Sequence, residues 1–202
     1  MLVKRLGFLL VCMAFALVVV ACGGSTAPSA PPETRAPQAA SPEEGTMPFT
    51  IGSEDVQRDG PIPSRFTCDG ENISPPLAWE GRPENTKSFV LIMDDPDAPR
   101  GVFTHWVVYD IPPNTNELPQ AVPNTDRLEN GGLQGRNSGN KVGYMGPCPP
   151  AGPAHHYHFT LYALDVPSLT LNPGQSKDRV LNAMHSHILA QTELVGTYQR
   201  GR

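Results

Sequence analysis

Two histidines and a tyrosine follow a Gly/Pro-rich loop in the second half of the chain, and their types and spacing suit a small ligand site. The loop begins at Gly143, and a predicted strand begins at His155. Because side chains alternate along a strand, His155 and Tyr157 share one face, whereas His156 and His158 share the other. Imidazole N–H and phenol O–H groups are donors that suit phosphate-type oxygens. The pattern predicts a polar pair at the mouth of a pocket, and a tight turn before an ordinary strand is the alternative.

Two upstream segments also place polar side chains at the ends of apolar runs. The run from Leu91 ends in an Asp/Pro turn that contains Asp95 and Asp97. Carboxylates in such turns bond to the nearby backbone, and we expect Asp97 only to shape the turn. His105 stands at the head of a second apolar strand that continues to Ile111. Neither segment by itself predicts a site.

These segments are part of a series of short motifs along the chain. The series contains Phe66–Trp79 (FTCDGENISPPLAW), Asp95–Pro99 (DPDAP), Phe103–Tyr109 (FTHWVVY), Gly146–Pro150 (GPCPP) with His155–Tyr157 (HHY), and Ala183–Tyr198. In this order the motifs resemble the phosphatidylethanolamine-binding protein family, which includes the Raf kinase inhibitor protein. The first and last motifs look like the bacterial branch, and the resemblance covers roughly residues 47–202.

The resemblance implies a small pocket that takes a phosphate-type anion or a phospholipid head group. Carried over residue by residue, the pocket consists of Asp95, His105, Gly146, His155 and Tyr157. Asp95 either orients a histidine and favours its cationic form, or accepts a hydrogen bond from the ammonium of an ethanolamine head group. His156 stands where this motif usually has an arginine, and it faces away from the pocket by strand parity.

We expect a binding protein that is not an enzyme and that needs neither cofactor nor metal. A hydrolase requires a nucleophile with an activating base, and the sequence contains no Gly-x-Ser-x-Gly motif. A metal site built on His155, His156 and His158 is disfavoured because neighbouring strand residues point to opposite faces. The alternative function is a regulator or inhibitor of another extracytoplasmic protein, as some members of the family are.

The net charge of the chain also restricts the kinds of partner that it can bind. The formal net charge is −5, and the sequence has no cluster of lysines or arginines. Both features argue against nucleic acid as a partner and against electrostatic docking on an anionic bilayer. The expected partners are therefore the phosphate-type ligand and a membrane that is reached through a lipid anchor.

The start of the chain is typical of an exported lipoprotein. A basic segment, Met1–Arg5, precedes an apolar run of 15 residues, which is shorter than the ~20 residues that cross a bilayer. Small residues then lead to Cys22, and this ending resembles a bacterial lipobox, in which the cysteine is acylated and becomes the mature N-terminus. We predict a lipoprotein signal peptide over residues 1–21 and acylation of Cys22. A plain signal peptide and an uncleaved anchor are the alternatives.

The segment after this cysteine connects the predicted anchor to a single domain. Residues 23–46 contain no aromatic residue and no Val, Ile, Leu or Met. Such a segment cannot bury enough apolar area to offset the entropy of ordering, so residues 22–46 are predicted to form a lipidated, disordered tether before a domain over residues 47–202. The protein should face the periplasm or the cell surface. Gly23 favours the outer membrane where the cell has one, because an aspartate at this position resembles an inner-membrane retention signal.

Four cysteines remain to be assigned. Cys12 lies in the predicted signal peptide, and Cys22 is the predicted lipidation site. Cys68 and Cys148 are then an even pair in a chain exported to an oxidising compartment. We predict a disulfide between them, and two independent buried thiols are the alternative.

Strand-like runs between turn signals predict a mainly β fold. Three long runs are apolar or rich in β-branched and aromatic residues, at 89–93, 105–111 and 155–165, and shorter strands are expected at 49–51 and 64–67. One helix is predicted after Ser176, with Val180, Met184, Ile188 and Gln191 at near-helical spacing, and a short one at 125–129. The expected fold is two packed antiparallel sheets with a C-terminal helix and few peripheral short helices, which is also the sandwich that the resemblance implies.

Overall fold

The apolar runs form two sheets in the computed structural model, which describes residues 47–201. The smaller sheet has three strands in the order β1-β3-β6, namely β1 (Thr50–Gly52), β3 (Leu77–Glu80) and β6 (Glu117–Leu118). The larger sheet has the order β2-β9-β8-β4-β5-β7, with β2 (Gly60–Pro61), β4 (Ser88–Asp95), β5 (Phe103–Ile111), β7 (Leu133–Gln134), β8 (His155–Leu164) and β9 (Ile188–Tyr198). All pairs are antiparallel except the two-residue pairing of β2 with β9. The mainly β prediction is confirmed.

Strand β4 is buried on both faces because it lies between two apolar layers. Phe89, Leu91 and Met93 belong to the core shared with the smaller sheet. Val90 and Ile92 belong to a second apolar cluster, which includes residues of helix α1 (Lys177–Met184). The continuous apolar run in the sequence therefore reflects a central strand covered by a sheet on one side and by a helix on the other.

The predicted C-terminal helix exists but is shorter than its apolar spacing indicated. The Ser176 side chain caps it by accepting a hydrogen bond from the Arg179 amide, and the helix ends at Met184. Ile188 and Gln191 lie instead in β9, which pairs with β8 from Tyr198 back to Ile188. The ladder of backbone hydrogen bonds outweighs a helical pattern carried by only two residues.

Two other short elements were predicted wrongly. Residues 64–66 form a 3₁₀ turn rather than a strand, with a hydrogen bond from the Thr67 amide to the Ser64 carbonyl. Residues 125–129 form no helix, because their backbone carbonyls bond elsewhere. The Gln134 side chain donates to the Thr125 carbonyl, and the Gln134 amide donates to the Asp126 carbonyl.

The predicted disulfide is confirmed. Cys68 and Cys148 are bonded, with their Cα atoms 5.4 Å apart. The predicted signal peptide, the acylated Cys22 and the tether lie outside the described residues. Within residues 47–201, no helix is both long enough and apolar enough to cross a membrane.

Candidate functional site

Three neighbouring strands bring the predicted residues to one edge of the larger sheet. Strand β4 runs antiparallel to both β5 and β8, so its last residues meet the first residues of the other two. Asp95 ends β4, His155 begins β8, and His105 lies near the start of β5. The sheet topology therefore assembles side chains that are far apart in the sequence.

A cavity of about 150 Å³ lies at this edge and is lined by Asp95, His105, Gly146 and His155. Its remaining walls are mostly apolar and come from Ala98, Pro99, Phe103, Met145, Cys148, Pro149 and Pro150. No lysine or arginine lines it. Grooves of about 320 and 490 Å³ lie elsewhere on the described surface, but none of the predicted site residues lines them.

Asp95 holds the ring of His155. Its Oδ2 lies 2.8 Å from His155 Nδ1, and both side chains are almost fully buried. Its Oδ1 accepts from the Asp97 amide at 2.9 Å, which is the predicted turn-forming bond. Since a carboxylate can only accept, Nδ1 of His155 carries the proton, and Nε2 is the ring nitrogen left for a ligand. The geometry matches the first of the two predicted roles for Asp95, the orientation of a histidine.

His105 is held in the same way by a backbone group. Its Nδ1 donates to the Met145 carbonyl at 2.6 Å, and the Met145 amide donates to the His105 carbonyl at 3.0 Å. Burial lowers the pKa of His105 below its ordinary value, although the bond to Met145 and the nearby Asp95 oppose this shift. Neutral His105 therefore offers Nε2 as an acceptor, and this atom becomes a donor only when the ring is protonated.

Tyr157 lies behind the cavity rather than on its wall. The side chain is fully buried, and its ring packs edge-on against His105 with centroids 5.2 Å apart. Its hydroxyl makes no hydrogen bond of ordinary geometry among the described residues, although it lies close enough to the Asp95 carboxylate to feel its charge. Burial, and next the nearby Asp95 carboxylate, raise the pKa of Tyr157, so the phenol stays protonated. The structure thus brings four of the five predicted residues to the cavity and places the fifth beneath it.

Gly146 is a wall residue, but its amide is not free for a ligand. The amide donates to Asn72 Oδ1 at 2.8 Å. A Cβ at this position would lie 2.5 Å from the Phe66 carbonyl oxygen and 2.6 Å from Asn72 Oδ1, so only glycine allows this close approach. The glycine is required for packing against residues 66–72 rather than for direct donation to an anion.

The strand parity predicted for the neighbouring histidines is confirmed. His156 is exposed and bonds to Asp97 at 2.7 Å, and His158 bonds to Glu193 at 3.0 Å, both away from the cavity. Sequence reasoning missed Phe103, Asn72 and the Met145 carbonyl. Phe103 was detectable, since it lies two residues before His105 on the same strand face; the other two contacts depend on loop paths that carry no local pattern.

Comparisons with known proteins agree on one family. The family model described as phosphatidylethanolamine-binding protein matches residues 52–199. A UPF0098 protein of Methanothermobacter thermautotrophicus is 56% identical over 142 residues, which cover 70% of this chain and 93% of that protein. A protein of Mycobacterium tuberculosis named as a candidate lipoprotein, LppC, is 37% identical over 194 residues, covering 93% of this chain and 92% of that protein.

Solved structures show the same relationship. The phosphatidylethanolamine-binding protein homologue CT736 of Chlamydia trachomatis has a TM-score of 0.69 and 38% identity, covering 75% of this chain and 97% of that one. YbcL of E. coli, described as a member of the mammalian family, has a TM-score of 0.71 and 32% identity, covering 75% of this chain and 98% of that one. The chain belongs to the phosphatidylethanolamine-binding protein family.

Proposed function

We propose that the domain binds a phosphate-type anion or a phospholipid head group in the cavity at the ends of β4, β5 and β8. The observation that carries this proposal is the anchoring of both histidines by Nδ1, to Asp95 and to the Met145 carbonyl. Each ring keeps one nitrogen, Nε2, for a ligand. Two such nitrogens on one small cavity can hold an anion once a ring is protonated.

The size and walls of the cavity favour a head group over a whole lipid. A volume of about 150 Å³ is below the ~300 Å³ at which pockets begin to enclose drug-sized ligands. The apolar rim contributes no charge, so the histidines supply the electrostatic attraction. The nearby Asp95 carboxylate repels a fully ionised phosphate unless a protonated His155 offsets the negative charge of Asp95.

We also propose that the site binds without catalysis. Its lining contains no serine, threonine or free thiol that could act as a nucleophile, since the sulfur of Cys148 is part of the disulfide. Among residues 47–201, no three His, Cys, Asp or Glu side chains are placed to hold a metal ion. These features support a binding role.

The proposed location is a membrane to which the protein is tied through Cys22. The support comes from the sequence motif and from the mycobacterial relative that is named as a candidate lipoprotein. Its alignment covers 93% of this chain, so it extends into the segment before residue 47.

A matched pair of histidine variants tests the binding proposal. Phosphoethanolamine and inorganic phosphate are titrated by calorimetry into wild type, His155→Ala and His156→Ala. His155→Ala should lose most of the binding, whereas His156→Ala should keep it because this ring is exposed on the opposite face. Equal affinities in all three proteins would contradict the proposal and favour a regulator of another protein instead.

A further inference from the structure

Four contacts fasten the rim of the cavity to residues 66–72, and we call this set the clamp. The Tyr144 hydroxyl donates to the Phe66 carbonyl at 2.7 Å, the Gly146 amide to Asn72 Oδ1 at 2.8 Å, and the Cys68 amide to the Pro147 carbonyl at 3.1 Å. The fourth contact is the Cys68–Cys148 disulfide. Every residue from 144 to 148 except Met145 is therefore bonded to the same partner segment.

Met145 carries the effect of the clamp to the binding site. It lies between two clamped residues, and its carbonyl is the acceptor that fixes Nδ1 of His105 at 2.6 Å. Gly146 and Cys148, on the other side, line the cavity themselves. The position of the His105 ring and the shape of the rim therefore depend on the same short stretch of backbone.

The partner segment is fixed independently of the rim. Asp69 accepts from the Tyr198 hydroxyl at 2.8 Å and from the Arg200 guanidinium at 2.8, 3.0 and 3.1 Å. These bonds join residues 66–72 to the end of β9, the long strand that pairs with β8. Residues 144–148 already reach β5 through the two bonds between Met145 and His105, and the clamp joins the same stretch to β9 as well.

The covalent member of the clamp is open to solvent. Both Cys68 and Cys148 are exposed, so a dithiol in solution can reach the bond. An exposed disulfide is the kind that a dithiol can reduce in a folded protein.

We propose that the Cys68–Cys148 disulfide is a redox-sensitive positioning device for the cavity, and that its reduction weakens anion binding by releasing the rim and the Met145 carbonyl that holds His105. The proposal rests on the proposed function. In the reduction, two electrons and two protons from an external dithiol convert the disulfide to two thiols, and the dithiol becomes a disulfide. The oxidised protein is then the form that binds.

The experiment uses the full chain with phosphoethanolamine as the probe. Affinity is measured by calorimetry for oxidised wild type, dithiothreitol-treated wild type and the double variant Cys68→Ser/Cys148→Ser. In parallel, nitrogen NMR follows the His105 ring, and hydrogen exchange follows the amides of Tyr144, Met145, Gly146 and Cys148. Reduction should weaken binding ~10-fold, which corresponds to the loss of about one well-made hydrogen bond to a charged group. The His105 Nδ1 signal should also shift on reduction, because the Met145 carbonyl that it bonds to is released. A disulfide with a purely structural role would leave this signal unchanged.

Two further variants separate an effect of the clamp on binding from a general loss of stability. Asn72→Gly removes the acceptor for the Gly146 amide, keeps the disulfide and suits the positive φ of 58° at this position, and it should weaken binding ~3-fold. Val180→Ala lowers stability on the other face of the sheet and should leave affinity unchanged. Dithiothreitol should have no added effect on the double cysteine variant.

The results separate the two proposals. Unchanged affinity and an unchanged His105 signal in folded, reduced protein would overturn the positioning role of the disulfide. If the reduced protein unfolds, Asn72→Gly decides the matter, and wild-type affinity in that variant would overturn the role of the clamp. Absence of binding by the oxidised wild type would instead overturn the proposed function.

Discussion

At the scale of single residues, the proposed binding of an anion depends on which histidine nitrogen is free. Asp95 and the Met145 carbonyl each occupy an Nδ1 atom, and no lysine or arginine lines the cavity. The site therefore has no permanent cation, and its attraction for an anion depends on protonation of an imidazole. This distinguishes it from phosphate sites built on arginine forks, whose charge does not change with pH.

The first prediction follows from the lowered pKa of His105. The free ring is neutral down to a pH below its ordinary value of 6.5, mainly because it is buried. A bound anion stabilises the cationic ring and raises this pKa, so binding takes up protons in the window between the two values and tightens as the pH falls through it. Calorimetry in two buffers of different ionisation enthalpy measures the uptake. Binding with no proton uptake in this window would show that His105 does not meet the anion.

The lowered pKa of His105 also determines how the stability of the domain depends on pH. Because folding lowers the pKa of His105, the unfolded chain binds more protons between that lowered pKa and pH 6.5. The contribution of this residue to stability is therefore complete above pH 6.5 and is lost as the pH falls toward the folded-state pKa.

The second prediction concerns the buried hydroxyl of Tyr157. A buried hydroxyl that makes no well-formed hydrogen bond contributes little to stability, so Tyr157→Phe should leave the free energy of unfolding of the ligand-free protein unchanged or raise it by up to about 1 kcal/mol. Tyr144→Phe is the matched control, since its buried hydroxyl donates to the Phe66 carbonyl at 2.7 Å and its removal should lower stability by a similar amount. Urea denaturation measures both. A loss of stability in Tyr157→Phe would mean that its hydroxyl is bonded in the native protein.

At the scale of secondary-structure elements, the site depends on close packing beneath β8. Gly196 of β9 lies opposite Tyr157 in the pairing of β9 with β8. A Cβ on Gly196 would lie 2.7 Å from Ile62 Cγ1 and 2.9 Å from Val56 Cγ1, and both of these side chains are buried. The absence of a side chain at Gly196 therefore lets the segment from Val56 to Ile62 pack closely against β9. Strand β9 in turn pairs with β8, which carries Tyr157 beneath the cavity.

A pair of glycine variants tests this packing. Gly196→Ala should destabilise the domain by ~1–3 kcal/mol, because the added methyl group overpacks a filled core. Gly52→Ala, in β1, is the control and should be neutral or slightly stabilising, since no atom lies within 4 Å of its added Cβ. Thermal unfolding of both variants measures the difference. Equal melting temperatures would show that the core around Ile62 adapts to the methyl group.

Elements with strong patterns were predictable, and those that depend on distant partners were not. The three long strands follow from apolar content and side-chain alternation, which also assigned His155 and His156 to opposite faces. The end of α1 was not predictable, because Ile188 fits a helical spacing in the sequence but lies in β9 and pairs with β8 in the structure. Residues 125–129 were mispredicted because the Gln134 side chain donates a hydrogen bond to the Thr125 carbonyl, and no pattern in the nearby sequence indicates this contact.

The candidate site was predictable as a set but not in its details. The family resemblance placed Asp95, His105, Gly146 and His155 in one pocket, and all four line one cavity. The motif did not reveal that Asn72 takes the Gly146 amide or that Tyr157 lies behind His105. Both facts depend on how loops pack in three dimensions rather than on spacing along the chain.

At the scale of the whole molecule, a domain of the phosphatidylethanolamine-binding protein family follows a predicted lipid anchor. The family model covers residues 52–199 and therefore concerns the domain alone. The alignment with the Methanothermobacter relative also spans about the length of the domain, whereas the alignment with the mycobacterial relative extends further toward the N-terminus. Membrane attachment is thus a property proposed for this chain in addition to its family fold.

The anchor has its own test. Cys22→Ser removes the thiol that the lipobox-like ending presents for acylation. The variant should appear in the soluble exported fraction or remain as unprocessed precursor, as measured by fractionation and mass spectrometry of the mature N-terminus. Cys12→Ser is the control and should be processed normally, because Cys12 lies in the segment predicted to be removed. Normal processing and membrane fractionation of Cys22→Ser would refute the anchor.

Nitrogen NMR of the histidine rings during titration with phosphoethanolamine tests whether the two anchored histidines bind the anion. Binding should move the Nε2 signals of His105 and His155 toward the protonated form while their Nδ1 signals keep their hydrogen bonds. His156 and His158, on the opposite face, should stay unchanged. Saturable binding without movement of the His105 and His155 signals, or with movement of His156 and His158 instead, would contradict the account.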